Sequence, residues 1–185
     1  MTAPLHERLT AFVVDKLDAL ERAHLPGYRI PRVFAGHEVG ADVRADLAFT
    51  IGLLGGRDDA LEVVLRGVDG RSTNTFFSYR IAETLLRHPH LLDRFDDAAV
   101  GEVLEACDST SFLPAMADGR LPRNYAAVLL RGEAARQRLG LDVDPAVVAD
   151  LTARTLAMLG ANPGGYLDDS HSAIARYDIY SGDIY

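Results

Sequence analysis

The chain has 185 residues, with 27 acidic against 19 basic side chains and a formal charge of −8. The acids are scattered along it rather than gathered in a tail, so no basic stripe is available to neutralise phosphates, and nucleic acid is not expected as a partner. Mixed apolar and charged composition at this length excludes general disorder and supports a substantial core.

Helix one follows Thr2, a capping hydroxyl, with Pro4 in the first turn where its missing N–H costs nothing. Leu5, Leu9, Phe12, Val13, Leu17 and Leu20 recur at three- and four-residue steps as one apolar stripe. Glu7, Arg8, Asp15, Lys16, Asp18, Glu21 and Arg22 interrupt it, which argues against a signal peptide and a membrane span, so cytoplasmic residence is expected. Pro26 and Gly27 stop the helix. The run from there to Gly40 keeps no period and reads as an irregular segment, long enough to line a site.

A helix from about Ala41 to Leu54 is apolar nearly all round at its far end, through Leu47, Ala48, Phe49, Ile51, Leu53 and Leu54, as a helix enclosed by neighbours would be. Gly55 and Gly56 end it. Asp58 and Asp59 then favour a helix N-terminus, and Leu61, Val64, Leu65 and Val68 supply the next stripe, completing a hairpin. In a second hairpin Ser72, Thr73 and Asn74 offer caps, Phe77, Ile81 and Leu85 mark one face, and Val100 to Cys107 return. Cys107 is the single cysteine, so neither a disulfide nor a cysteine zinc site forms within the chain, and its place on an apolar face reads as a small buried hydrophobe.

Residues 108–122 form a second irregular segment with one short helical turn near Met116. In the third hairpin Tyr125, Val128, Leu129 and Ala135 face inward, Gly140 closes the first helix, and Asp144-Pro145 caps a second that runs to about Leu159. Asn162 to Gly165 break it, and Tyr177, Tyr180 and Ile184 fall at helical spacing beyond.

Helix pairs thus recur about every 35 to 50 residues, the spacing of solenoids and toroids. The expected fold class is all-α: helical hairpins of an α/α toroid, an incomplete (α/α) barrel, with residues 1–185 as one helical domain. The apolar, uncapped last residues suggest the N-terminal part of a larger toroid, whose remainder would be a partner C-terminal to Tyr185; the alternative is a complete domain whose aromatic end docks on its own core.

The segment richest in chemistry is Gly164-Gly165-Tyr166-Leu167-Asp168-Asp169-Ser170-His171, followed by Arg176-Tyr177-Asp178-Ile179-Tyr180-Ser181. Rings beside carboxylates give a sugar an apolar face to stack on and acceptors for its hydroxyls. A phenol or imidazole near an arginine can move a proton while the arginine holds a substrate carboxylate. The plainer reading makes Asp168, Asp169 and Ser170 caps, His171 a surface residue, and Tyr177 and Tyr180 core. Asn74, Phe77, Tyr79 and Arg80 open another helix, either toward the same cleft or as a cap, two core aromatics and a solvated arginine. Asp108-Ser109-Thr110-Ser111 suits a ligand or an ordinary loop. In His88-Pro89-His90 the proline, and the lack of an acid at helical spacing, argue for a helix terminus over a metal site. No phosphate loop, dinucleotide fingerprint, zinc-protease helix or serine-nucleophile elbow occurs, so no cofactor and no metal are expected.

The stretch from Arg123 to Tyr185, with RNYAAVLLRGEAARQRLGL, then GGYLDDS and RYDIYS, resembles a recurring block of bacterial α/α toroid proteins, the heparinase II/III-like group and a related, functionally undescribed family. It departs from the related family's pattern at Leu167 and Asp169. The resemblance implies that Asn124, Tyr125, Asp168, Tyr177, Asp178 and Tyr180 lie near a central cleft, and that the protein binds or acts on an acidic or otherwise polar saccharide or other small polar ligand. In a polysaccharide lyase or hydrolase of this kind Tyr177 or His171 would be the base or acid, Arg176 would hold a substrate carboxylate, and Asp168 and Asp178 would orient hydroxyls; Asp169 beside them is a further candidate for substrate binding. Two other classes stand beside this one: a helical-repeat interaction or scaffold module, and a toroidal terpenoid-type cyclase or dehydratase.

Overall fold

The chain is all-α in its computed structural model, which describes residues 4–24, 33–34, 37–38, 41–68 and 75–161. The helices among them are α1 (Leu5–His24), α2 (Ala41–Leu54), α3 (Asp58–Arg66), α4 (Thr75–Arg87), α5 (Asp97–Ala106), α6 (Leu113–Ala117), α7 (Tyr125–Arg138) and α8 (Pro145–Gly160), with 3-10 turns at Pro89–Arg94 and Thr110–Phe112. Within the expected irregular segment, β1 (Val33–Phe34) pairs antiparallel with β2 (His37–Glu38), Val33 opposite Glu38 and Phe34 opposite His37. Strands this short carry too few residues for alternation to register in sequence.

Local chemistry sets the boundaries. Gly55 and Gly56 both adopt φ of +70°, a conformation that glycine alone enters without strain, and they turn the chain from α2 into α3. The Asp144 carboxylate accepts a hydrogen bond from the Ala146 amide at 2.8 Å, with Pro145 in the first turn, as the sequence leads one to expect. Asp96 caps α5 in the same way, accepting from the Ala99 amide at 2.8 Å, so this helix starts earlier than its apolar series.

The three hairpins are α2–α3, α4–α5 and α7–α8. Their first helices lie in consecutive contact, with α4 packed between α2 and α7, and α8 follows on α7. One face of α4 carries Ile81, Ala82 and Leu85, fully buried against Leu61 and Leu65 of α3 and Val103 and Ala106 of α5, in the main core. Tyr79 packs on Ala127 and Val128 of α7 in a second cluster, and Met116, Ala126, Leu129 and Leu151 join α6, α7 and α8 in a third. Small residues on α7 let its backbone come close: a Cβ at Gly132 would sit 3.7 Å from the Tyr79 Cβ.

Two apolar helices are less enclosed than their sequences suggest. On α2, Ala45, Ala48 and Ile51 are buried, but Leu53 is 57% exposed, because among the described residues its large contacts are with α3 and α4 alone. On α1, Leu17 is buried and Val13 packs beside it, whereas Leu5, Leu9 and Phe12 are exposed. Asp18 ties this helix to Arg57, the residue just before α3. Among the described residues no helix is long and apolar enough to cross a membrane.

Candidate functional site

Of the residues expected to catalyse or to bind the saccharide, Arg80, Asn124 and Tyr125 are described structurally. Tyr177, His171, Arg176, Asp168, Asp169, Asp178, Tyr180 and Asn74 lie outside the described residues. Asn124 is buried immediately before α7, and its backbone carbonyl accepts from Ala127 and Val128; Tyr125 is half-buried in the first turn.

Arg80 is not the solvated arginine of the plainer reading. Its side chain is 18% exposed and forms an ion pair with Asp46 of α2. Its Nε donates to the Tyr79 hydroxyl at 2.9 Å. The guanidinium also lies 5.8 Å from the Phe49 ring centroid and 5.5 Å from that of Tyr79, within reach of the negative faces of both rings.

The pair belongs to a polar seam across the first helices. Positions 80, 83 and 87 follow at helical steps on α4, away from the face that carries Ile81 and Leu85. Glu83 receives Arg131 of α7 in a two-pronged arrangement, Nε at 2.5 Å from one oxygen and an NH2 group at 3.1 Å from the other. Arg87 approaches the same carboxylate at 3.3 Å and stands 5.3 Å from the Phe49 centroid. The Arg131 guanidinium covers Tyr79 at 4.5 Å. Asp46, Phe49, Arg80, Glu83, Arg87 and Arg131 therefore form one continuous patch, in which three guanidiniums meet two carboxylates. Such a patch is net cationic within a chain of net charge −8.

A second polar cluster is internal. Glu133 is 1% exposed, accepts from Ser109 Oγ at 3.1 Å, and is held by Arg136 at 2.8 Å. Asp108 accepts from the Thr110 amide at 2.7 Å and lies 3.4 Å from Arg136. Asp108 and Ser109 are thus committed to anchoring this connection on α7. Glu133 carried no warning in RGEAARQR beyond the small residues flanking it.

The helix terminus expected at His88-Pro89-His90 is present: α4 ends at Arg87 and Pro89 opens the 3-10 turn. The acid that meets the two histidines comes from another element. Asp58, first residue of α3, accepts from His90 Nε2 at 2.7 Å and has its other oxygen 3.9 Å from His88 Nδ1. On the far side of the ring, His88 Nε2 meets the Gly52 carbonyl oxygen at 2.9 Å. The hydrogen bond from His90, seconded by the charges of His90, His88 and Arg94, holds the Asp58 carboxyl below the usual carboxylate range despite some desolvation.

Between α6, α7 and α8 runs a cleft of about 390 Å³, walled by Met116, Leu121, Ala126 and Met158 with Arg123 and Arg154 at its edges. Arg80, Asn124 and Tyr125 are not among its lining residues. No protein-family model, curated protein or solved structure matches the chain.

Proposed function

We propose that the chain belongs to an α/α toroid that binds, and acts on, an acidic or otherwise polar saccharide. The observation that carries this reading is the cationic seam of Arg80, Arg87 and Arg131 across α2, α4 and α7, with the Phe49 ring set among the charges. In a toroid the first helices of successive hairpins line the central cleft, and a net positive cluster of guanidiniums beside a ring offers a uronic acid attraction for its carboxylate and a surface for its apolar face.

Chemistry in this reading falls to Tyr177 or His171 as base or acid and to Arg176 as holder of the substrate carboxylate, with Asp168, Asp169, Asp178 and Tyr180 binding hydroxyls, as the resemblance of the 123–185 stretch implies. Thermal-shift measurements with neutral and uronic oligosaccharides test the binding: uronic chains raise the melting temperature and neutral chains of equal length do so less. Saccharide turnover that survives alanine at Tyr177, Arg176 and Asp178 would sink the catalytic assignment.

A second reading, a helical-repeat module that binds a protein, draws on the exposed face of α1, where Leu5 is 68%, Leu9 56% and Phe12 59% exposed. It gains if no saccharide shifts the melt.

A further inference from the structure

We propose that Asp58, His88 and His90 form a binding site for one divalent transition-metal ion of the zinc class. The three side chains come from two places 30 residues apart, the start of α3 and the turn after α4, and each offers a ligand atom within 4.8 Å of the others. Nitrogen and carboxylate ligands in this number suit zinc, whose bonds of about 2.0–2.1 Å place tetrahedral ligands about 3.4 Å apart, so a small closing movement completes the shell.

The orientation of His88 is what separates this cluster from a set of ordinary helix-end hydrogen bonds. A carbonyl oxygen can only accept, so the contact to Gly52 holds a proton on Nε2 and leaves Nδ1, the nitrogen a metal would take, on the side of Asp58. Nδ1 faces Asp58 Oδ1 at 3.9 Å, beyond direct hydrogen-bond distance. A cation between them satisfies both. Donation of the second ring nitrogen to a backbone carbonyl is also the usual way a metal-ligating histidine is held in place.

Pro89 makes the geometry possible. Residues two apart on a regular helix point away from each other, but His88 sits at φ −130°, ψ 56° before the turn, and the two rings meet edge to face with centroids 5.9 Å apart. The His88 side chain is 13% exposed and that of His90 53%, so His88 is the anchored ligand and His90, already on Asp58, is the one open to solvent. Three protein ligands leave a fourth tetrahedral position for water.

Calorimetric titration of the metal-free full chain with Zn²⁺ at neutral pH, repeated with Co²⁺ and read by its absorption, tests the assignment. His90→Ala and Asp58→Asn alter exposed or half-exposed side chains, and circular dichroism checks that both variants keep the helical fold. The expected result is one ion per chain, a tetrahedral cobalt spectrum, and affinity reduced more than about 100-fold in each variant, since even outer contacts of such sites are worth about 10–100-fold. Failure of the parent chain to bind one equivalent, or parental affinity in either variant, would overturn it, the latter by placing the ion on other histidines. The saccharide reading does not depend on this outcome.

Discussion

His88 Nε2 and the carbonyl oxygen of Gly52 lie 2.9 Å apart, a hydrogen bond that ties the turn after α4 to the last turn of α2. A side chain at position 52 would crowd Thr84 rather than the His88 ring. A Cβ there would stand 3.2 Å from Thr84 Cγ2 and 3.6 Å from the His88 ring.

Thr84 cannot retreat, being fully buried with its hydroxyl donating to the Arg80 carbonyl at 2.7 Å. Alanine in a helix gains about 1 kcal/mol over glycine, while overpacking costs about 1–3 kcal/mol. Gly52→Ala is therefore expected to lower stability by about 1 kcal/mol in urea denaturation; a stabilised variant would show that the α2–α4 contact is looser than described.

Glu133 and Arg136 make the costliest ion pair to break. Removing one partner of a buried pair leaves the other uncompensated, so Glu133→Ala is expected to lose about 3–5 kcal/mol. The exposed pair Asp150–Arg154 supplies the contrast, with side chains 54% and 45% exposed. Arg154→Ala should stay within about 0.5 kcal/mol of the parent. Equal losses in the two variants would show that Glu133 is not buried as its contacts imply.

Cys107 closes α5 with its thiol donating to the Val103 carbonyl at 3.3 Å. Burial pushes the thiol up to about 12, so the reactive thiolate is scarce at neutral pH. A thiol-specific reagent should fail to label the native chain at pH 7 or pH 9 and react stoichiometrically in denaturant. Rapid native labelling that accelerates over that pH range would contradict the burial.

The two aspartate caps should be interchangeable in size of effect. Asp144→Ala and Asp96→Ala each remove a side-chain acceptor from a first-turn amide, at about 1 kcal/mol apiece. Denaturant midpoints measure both, and an unchanged midpoint would remove the cap from the account of that helix.

These cases also mark what the sequence makes legible. The Asp144-Pro145 start and the bounds of α2 depend on neighbours in the chain, and local rules recover them. Asp96 is not legible as a cap because the apolar series begins later, at Val100. The pairs that build the sites are of another kind: Asp58 with His90 spans 32 residues, and Glu83 with Arg131 spans 48. Which partner an exposed-looking Glu or His finds is decided by helix packing, and no periodicity encodes it. Arg80 was recognised as a residue of interest, yet its enclosure by Asp46, Tyr79 and Phe49 follows only once α2 and α4 lie together. Most of the expected saccharide site, from Asp168 to Tyr180, falls outside the described residues, so that expectation rests on the residue types and the resemblance alone.

The central claim is that the seam across α2, α4 and α7 receives an acidic saccharide, and calorimetric titration of a uronic oligosaccharide into the protein and its Arg131→Ala and Arg87→Ala variants tests it most directly. The account predicts measurable binding by the parent, weaker binding by both variants, and affinity that falls as salt screens the charges. Binding that is equally tight in both variants, or absent for every uronic chain, would contradict it.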